Sequence, residues 1–487
     1  VAFLSLPPRS SDFEKVHRIA RRVLADRGFL VDFPKAAEDA AEKASPHAPK
    51  HVKDLRALPW SSIDNRESRD LDQIEWMERL PDGRVRVLIG IADVASFAPR
   101  DGEVDRFAGA NTSTLYAGPM VFPMLPEVLS VDRTSLLFGE ERLAVVTEYL
   151  VTQDGRVEEP QVYAALVKNH AQLVYEDVGA WLEGRPHAPA PPSGFEAQLR
   201  LQDDVARCLR KSRFQHGALA FETVEARTVT LPDGNLELTV VQKNRARELV
   251  EDLMIAANNA TARYLDQKGF PSIRRIVKTP RRWARIVELA QEHGRTLPSE
   301  PDPQALSAFL SEERARDATG FRDISLAVVK LLGPGEYVVA QPNKPHEGHF
   351  GLAVYDYTHS TAPNRRYADL VTQRLLVAAS LGEPNSYTEE ALAAVAARCT
   401  DKENDARAVE RTMRKVLAAI ALADHVGEEY DGVITGKADK GTFVRLLSPP
   451  AEGRIVHGEE GLDVGDHVRV RLKATVPERG FLDFVRV

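Results

Sequence analysis

Three aspartates, Asp64, Asp70 and Asp72, fall within one nine-residue span of the stretch Ser62-Ile63-Asp64-Asn65-Arg66-Glu67-Ser68-Arg69-Asp70-Leu71-Asp72-Gln73. Asp70 and Asp72 are two apart, so a strand or extended loop points both to one side. A turn through Asn65 to Ser68 would bring Asp64 back beside them. Hard cations such as Mg²⁺ take oxygen ligands and usually only a few carboxylates. Two such ions about 4 Å apart can clamp a phosphodiester, one activating water and the other stabilising the leaving oxygen. Without a cation the carboxylates repel one another. The competing reading is an acidic surface loop, a common feature, and spacing alone leaves both open.

A second feature is basic. Arg274, Arg275, Lys278, Arg281, Arg282 and Arg285 occur with no acid among them. Either they line a channel for a polyanion or they are the solvated entry to a helix. The net charge of −8 argues against a protein that coats nucleic acid non-specifically. It leaves room for a nuclease with a carboxylate metal site and a local basic channel.

The elements that must position these residues read as α+β. Phe13, Val16, Ile19, Ala20 and Val23 recur at helical spacing, and Ala36 to Ala44 is a second short helix. This pair is either a helix-turn-helix-like module or packs on its neighbour. Asp72 to Met77 and Val85 to Ile91 read as strands joined through Pro81-Asp82-Gly83. Ala144 to Val151 and Val157 to Ala165 read as a second strand pair around Asp154-Gly155. Helices are expected over Glu248 to Leu265, Tyr367 to Leu381 and Glu389 to Glu428. From Tyr430 onward, short alternating runs between turn glycines suggest a small barrel. The expected organisation is a small helical region at 1–50, a mixed α/β catalytic domain at 51–428 and a barrel at 429–487.

With 487 residues, two or three domains are the natural prior. The composition, 43 % hydrophobic and 28 % charged, is that of an ordinary globular protein. No apolar run is long enough to span a bilayer. The opening Val1-Ala2-Phe3-Leu4-Ser5-Leu6-Pro7-Pro8 lacks the basic and apolar regions of a signal peptide. Cys208 and Cys399 form neither a disulfide framework nor a zinc signature. A cytoplasmic location is expected.

The aspartate stretch resembles the signature of the RNase II/RNase R family of exoribonucleases, an Ile-Asp followed six residues later by Asp-x-Asp-Asp. Asp64, Asp70 and Asp72 match the first three acids, and Gln73 stands where the family usually has the fourth. The likeness continues in Ile91-Ala92-Asp93-Val94, with Gly90 in place of a histidine. It continues in Phe122-Pro123-Met124-Leu125-Pro126-Glu127, in Leu249 to Asn258, in His349-Phe350-Gly351-Leu352 and in Thr361-Ala362-Pro363-Asn364-Arg365-Arg366-Tyr367-Ala368-Asp369-Leu370. Ala362 and Asn364 depart from the family pattern. Ala408-Val409-Glu410-Arg411 resembles a further family helix. The matches run in family order over roughly 51–428.

Gly432-Val433-Ile434-Thr435-Gly436, Gly441 to Leu446 and Val464 to Val470 resemble an S1 RNA-binding domain, which implies a five-stranded OB-type barrel. Phe443 could stack on a base, with Lys437 and Arg445 on phosphate, or Phe443 could be core. The family's bacterial members usually carry two cold-shock barrels in front. Here about 50 residues of helical texture stand instead.

The resemblance implies Mg²⁺, with Mn²⁺ as an alternative, held by Asp64, Asp70, Asp72 and, with least certainty, Gln73. It implies hydrolysis of single-stranded RNA from the 3′ end to nucleoside 5′-monophosphates. Asp72 and Arg365 carry the chemistry, Arg365 by stabilising charge on the phosphate. Tyr116, Tyr175, Arg366, Glu410, Arg411 and Phe443 are the RNA-contacting candidates, Tyr175 through a 2′-OH that favours RNA over DNA. Tyr175 could instead be a packing residue and Arg365 a structural ion-pair partner. A monomer with no membrane attachment is expected. Two rivals are a non-catalytic RNA-binding relative, toward which Gln73 points, and an unrelated metal-dependent phosphohydrolase.

Overall fold

The computed structural model describes residues 11–47, 51–221, 225–230, 236–241, 243–317, 320–438 and 441–487. The opening residues, on which the signal-peptide expectation rests, lie outside them, as do residues 48–50 at the expected first boundary. Helix α1 (Ser11–Ala25) presents Val16, Ile19, Ala20 and Leu24 on one face, and all four are buried. α2 (Lys35–Lys43) is held by Arg133, which donates to the carbonyls of Ala41, Ala44 and Glu42 at 2.8–2.9 Å. The two helices dock on different clusters, α1 with residues 115–122 and 409–420, and α2 through Ala41 with the cluster that holds Trp60, Leu88 and Leu129.

The largest part of the chain is built on β1 (Lys53–Asp54), β2 (Trp60–Asp64), β3 (Gln73–Arg79) and β4 (Val85–Ala92), followed by α3 (Glu103–Asn111). A small hairpin of β5 (Leu115–Ala117) and β6 (Met120–Phe122) leads to β7 (Glu141–Val151) and β8 (Val157–Val174). The strand order is β1-β8-β2-β3-β4-β7, and β8 also pairs with β7, so the sheet closes on itself. β8 does this by length. Its first part runs antiparallel to β7, and its last part runs parallel to β1 and β2. The sequence pattern predicts a strand ending at Ala165, but β8 continues to Val174 through partly exposed positions whose backbone still pairs.

β4 reads Val-Arg-Val-Leu-Ile-Gly-Ile-Ala and is buried on both faces. Leu88 packs with Trp60 and Ile74 on one side; Val87 and Ile89 pack with Ile63 and Met77 on the other. Gly90 has a local reason. A Cβ there would lie 3.0 Å from Ile74 Cγ1 and 3.6 Å from the Trp60 ring.

Next come α4 (Tyr175–Leu182), α5 (Glu196–Gln215), an antiparallel pair β9 (Glu225–Thr230) and β10 (Leu236–Val241), and α6 (Arg245–Gln267). Asn244 caps α6 by accepting from Arg247 N. β11 (Ser272–Ile276) leads through α7 (Trp283–Glu292), α8 (Pro303–Arg316) and α9 (Phe321–Leu332) to β12 (Glu336–Ala340), which pairs back with β11. The basic run falls here, and its first two residues are internal. Arg274 is 1 % exposed and donates to the Ala262 carbonyl. Arg275 grips both oxygens of Glu403 at 2.6 and 2.9 Å, and Lys278 pairs with Glu336. Only its later part, at Arg281, Arg282 and Arg285, is exposed, so neither an open channel nor a helix entry describes the whole run.

α10 (Tyr367–Leu381) runs as the sequence predicts, and α11 (Glu389–Ala421) stops seven residues short of the predicted end. The reason is packing. Ala418, Ala419 and Leu422 enter the barrel core, and a short turn through Ala423–His425 redirects the chain. The barrel is closed, in the order β13 (Glu429–Ala438), β14 (Gly441–Leu446), β15 (Glu452–His457), β17 (Phe481–Arg486), β16 (His467–Val476). On β14, Thr442, Val444 and Leu446 are buried while Phe443 and Arg445 alternate outward.

Candidate active site

Asp64 ends β2, and the turn after it folds around its carboxylate. Oδ1 accepts from Asn65 N at 2.7 Å and Ser68 Oγ at 2.8 Å, and Ser68 N donates to the Asn65 carbonyl. The chain then runs extended to Asp72 and is pinned on both sides. Leu71 N donates to Ser135 Oγ, Ser135 Oγ donates to the Arg69 carbonyl, and Ala92 N donates to the Asp72 carbonyl. Three acids separated in the chain are thus fixed at one end of the closed sheet.

Asp72 is completely buried. Its Oδ2 accepts from Arg365 Nε at 2.7 Å and its Oδ1 from Asn364 N at 3.3 Å. Burial pushes the Asp72 carboxyl up to about 6; Arg365 opposes this and the negative Asp70 adds to it. Asp70 is likewise raised by burial, against the pull of Arg365 and with a smaller push from Asp64. The guanidinium of Arg365 is about one-third exposed (37 %), unlike its partner. Burial works against its charge, but Asp72, Tyr116, Asp70 and Asp64 outweigh burial and hold it firmly protonated.

Arg365 is placed by the 361–366 loop stitching onto the segment before β5. Thr114 N donates to the Arg365 carbonyl, Tyr367 N to the Thr112 carbonyl, and Ser113 bridges Arg366. Tyr116 on β5 therefore faces Arg365; burial raises its phenol, against a smaller downward pull from Arg365. Tyr175 opens α4 on the other flank. Arg247 lies 4.4 Å from its ring centroid and donates to Asn65 Oδ1 at 3.0 Å. Burial raises the Tyr175 phenol, followed by the charges of Asp64 and Glu75.

The remaining sequence candidates lie further out or are engaged. Gln73 is buried at the start of β3, paired in register with Ile91. Arg366 is locked to Asp369 by two hydrogen bonds of 2.7 and 2.8 Å. Glu410 and Arg411 are exposed on α11, beside the buried Val409 and Met413. Phe443 is partly exposed on the outer face of the barrel, not in its core. Its neighbour Arg445 pairs with Asp323 of α9, and Lys437 donates to the Leu462 carbonyl.

Sequence reasoning missed Asn364 N, Ser68, Arg247 and Glu75. Asn364 N and Ser68 bind through loop geometry, and Arg247 reaches Asn65 from the first turn of α6; neither carries a sequence signal. Glu75 had one, an acid inside the otherwise apolar run Ile74-Glu75-Trp76-Met77. It is fully buried, neither of its oxygens meets a donor from another residue, and burial, then Asp64, raises it to about 8.

The donor set suits a hard divalent cation. Asp64, Asp70 and Asp72 offer only oxygen, and burial disfavours Asp70 and Asp72 as bare anions. Among the described residues no three His, Cys, Asp or Glu side chains form a protein-only cage. A Mg²⁺ ion, which keeps several of its waters, does not require one. A cleft of about 1000 Å³ opens at the N-terminal half of α6, lined in part by Arg207, Arg210, Arg245 and Arg322 together with Glu183, Glu248 and Glu251; none of the site aspartates lines it.

The closed sheet, with buried Asp72 and its partner Arg365 at one end, is joined to a closed five-stranded barrel. The RNB domain profile matches residues 52–381, and the RNase II-type exonuclease C-terminal S1 domain matches 428–487. The chain belongs to the RNB domain family. It is 31 % identical over 447 residues to a protein named Ribonuclease R from Vibrio parahaemolyticus, covering 88 % of this chain and 53 % of that protein. The chain thus spans about half the length of that relative. The fold is shared with Mycoplasma genitalium RNase R in complex with ribose-methylated single-stranded RNA (TM-score 0.87, 22 % identity, 97 % of this chain and 78 % of that one). It is shared also with yeast Ssd1, a pseudonuclease (TM-score 0.71, 16 % identity, 90 % and 55 %). The fold alone therefore does not decide activity.

Proposed function

We propose that this chain is a 3′-to-5′ exoribonuclease that hydrolyses single-stranded RNA to nucleoside 5′-monophosphates with Mg²⁺, or Mn²⁺ in its place. The observation that carries this is the Asp72–Arg365 pair. It sets a buried carboxylate against a fixed, partly exposed cation, between an aromatic ring and two further aspartates. Family membership and the name of the Vibrio relative support the same reading.

The residues divide the task. Asp64, Asp70 and Asp72 hold the divalent ion, with Gln73 as a neutral oxygen at most. When bound, the ion supplies charge neutralisation at the phosphate and a lowered pKa for the attacking water. Asp72 orients Arg365, and Arg365 meets the charge that develops on the phosphate oxygens, in surroundings poor in water. Tyr116 stacks on the terminal base, and Tyr175 donates to a 2′-OH. Phe443 on the barrel's outer face stacks on bases farther from the end, and the arginine-lined cleft holds phosphates. Residues 1–50 stand in front of the catalytic domain at 51–428, the barrel occupies 429–487, and the protein acts as a cytoplasmic monomer. No helix among the described residues is long and apolar enough to cross a membrane.

The second reading, a weakened RNA-binding relative, is favoured by Gln73 in the place of an acid and by the engagement of both Asp72 oxygens. A 5′-labelled RNA of about 30 nucleotides, longer than an ordinary single-strand site, separates the two. Stepwise shortening from the 3′ end with Mg²⁺, absent in Asp72→Asn, supports the nuclease. Intact RNA bound equally by both proteins supports the relative.

A further inference from the structure

We propose that the first turn of α6 is a clamp on Tyr175, in which Arg247 is the positioning residue that sets the tyrosine hydroxyl toward the sugar of RNA. The inference rests on the reading of Tyr175 as the 2′-OH contact.

Tyr175 has two attachments, and both come from the start of α6. Asn244 Nδ2 donates to the Tyr175 carbonyl at 2.8 Å. The same side chain caps α6, its Oδ1 accepting from Arg247 N at 3.0 Å. One asparagine thus fixes where α6 begins relative to Tyr175. The fit requires Gly179, one turn further along α4. A Cβ there would lie 2.7 Å from both Cγ and Nδ2 of Asn244. The second attachment is to the ring, where the Arg247 guanidinium carbon lies 4.4 Å from the centroid. A cation over an aromatic face is attracted by the ring quadrupole.

The guanidinium is itself held. Arg247 Nη2 donates to Asn65 Oδ1 and to Glu176 Oε1, each at 3.0 Å. Asn65 Nδ2 in turn reaches Asp64 Oδ1 at 3.3 Å. Asp64 stands in register with Val174, so Tyr175 starts its helix beside Asn65. Arg247 Nε is buried and meets no acceptor, a cost that an arginine extended into solvent toward Glu176 would not carry. The Tyr175 phenol lies in the fields of Asp64 and Arg365 as well as of Arg247, so the clamped ring belongs to the site.

A hydrogen bond weakens steeply with misalignment, so a hydroxyl on an unheld ring loses its grip on a 2′-OH. DNA has no 2′-OH to lose. Removing Arg247 and removing the hydroxyl therefore act on one contact, and their effects do not add.

The test compares single-turnover cleavage of RNA and of DNA of the same sequence with Mg²⁺. Expected in Arg247→Met, whose unbranched stem still covers the ring, is a fall of about 3- to 10-fold in the RNA-to-DNA ratio, the scale of one cation–π contact. In the Tyr175→Phe background the same substitution is expected to change the ratio no further. An unchanged ratio in Arg247→Met, where Tyr175→Phe lowers it, overturns the inference and leaves the sugar reading intact. An equal fall with and without the tyrosine hydroxyl, the mark of a merely structural role, also overturns it. No effect of Tyr175→Phe overturns the sugar reading and the inference with it, and absence of RNA cleavage by the wild type overturns the nuclease reading as well. If near-ultraviolet circular dichroism shows Arg247→Met to be misfolded, Arg247→Gln is measured instead. A ratio lowered by it in the presence of the tyrosine hydroxyl alone supports the inference, and any other result overturns it.

Discussion

Asp72 and Arg365 lie 293 residues apart in the chain and 2.7 Å apart in the fold, joined through Arg365 Nε and Asp72 Oδ2. The bond uses Nε, which leaves the terminal N–H groups of the guanidinium for Tyr116 and for a phosphate. Arg365→Lys keeps a charge but not the fork. We expect kcat for RNA shortening to fall by about 10²–10³ with RNA binding little changed, the scale of losing one charge-stabilising donor. Asp72→Asn and EDTA each abolish shortening. Gel-based single-turnover rates check all three.

Acid should destabilise the fold through His349. Burial, aided by Arg275, lowers its pKa to about 4, and its Nδ1 accepts from Leu352 N, a bond only the neutral ring can make. An unfolded histidine titrates near 6.5, so the unfolded chain binds more protons between about pH 6.5 and 4. Stability is then full above pH 6.5 and falls as the pH drops toward 4. Urea midpoints measured across that window should decline in the wild type and decline less in His349→Gln.

The outward position of Phe443 separates binding from stability. Phe443→Ala should leave the thermal midpoint within a degree or two, since Val444 and Leu446 hold the core. It should weaken single-stranded RNA by about 5- to 100-fold, the usual cost of one lost base stack. Calorimetry and fluorescence anisotropy measure the two separately.

Tyr175 is held under Arg247 with its phenol beside the acid group. Tyr175→Phe keeps the ring and removes the hydroxyl. The ratio of RNA to DNA cleavage rates should fall by about tenfold, the worth of one hydrogen bond of roughly 1.4 kcal/mol. Equal ratios in the two proteins would mean that the hydroxyl does not read the sugar.

The acid site was legible because Asp64, Asp70 and Asp72 are neighbours in sequence. The turn at Asn65 to Ser68 that gathers them is made of residues with a known tendency to turn. The partnership of Arg365 with Asp72 left no local mark and was reachable only through the family resemblance. The basic run misled for the same reason in reverse. Arg275 looked available because its partner Glu403 lies 128 residues away. α10 was readable to its ends, since Gly382 takes the left-handed conformation that stops it (φ 67°). α11 was not, because the barrel core that ends it is a tertiary contact.

The apolar stripe of α1, Val16, Ile19, Ala20 and Leu24, packs in one cluster with Leu115, Met120 and Phe122 of the β5–β6 hairpin and with Val409, Met413 and Leu417 of α11, nearly four hundred residues later. A chain emerging N-terminus first must therefore carry part of that stripe uncovered until α11 has been made. Through the same interval the aspartates exist without Arg365. The far half of the shield over α1 and the partner for Asp72 both arrive late in synthesis.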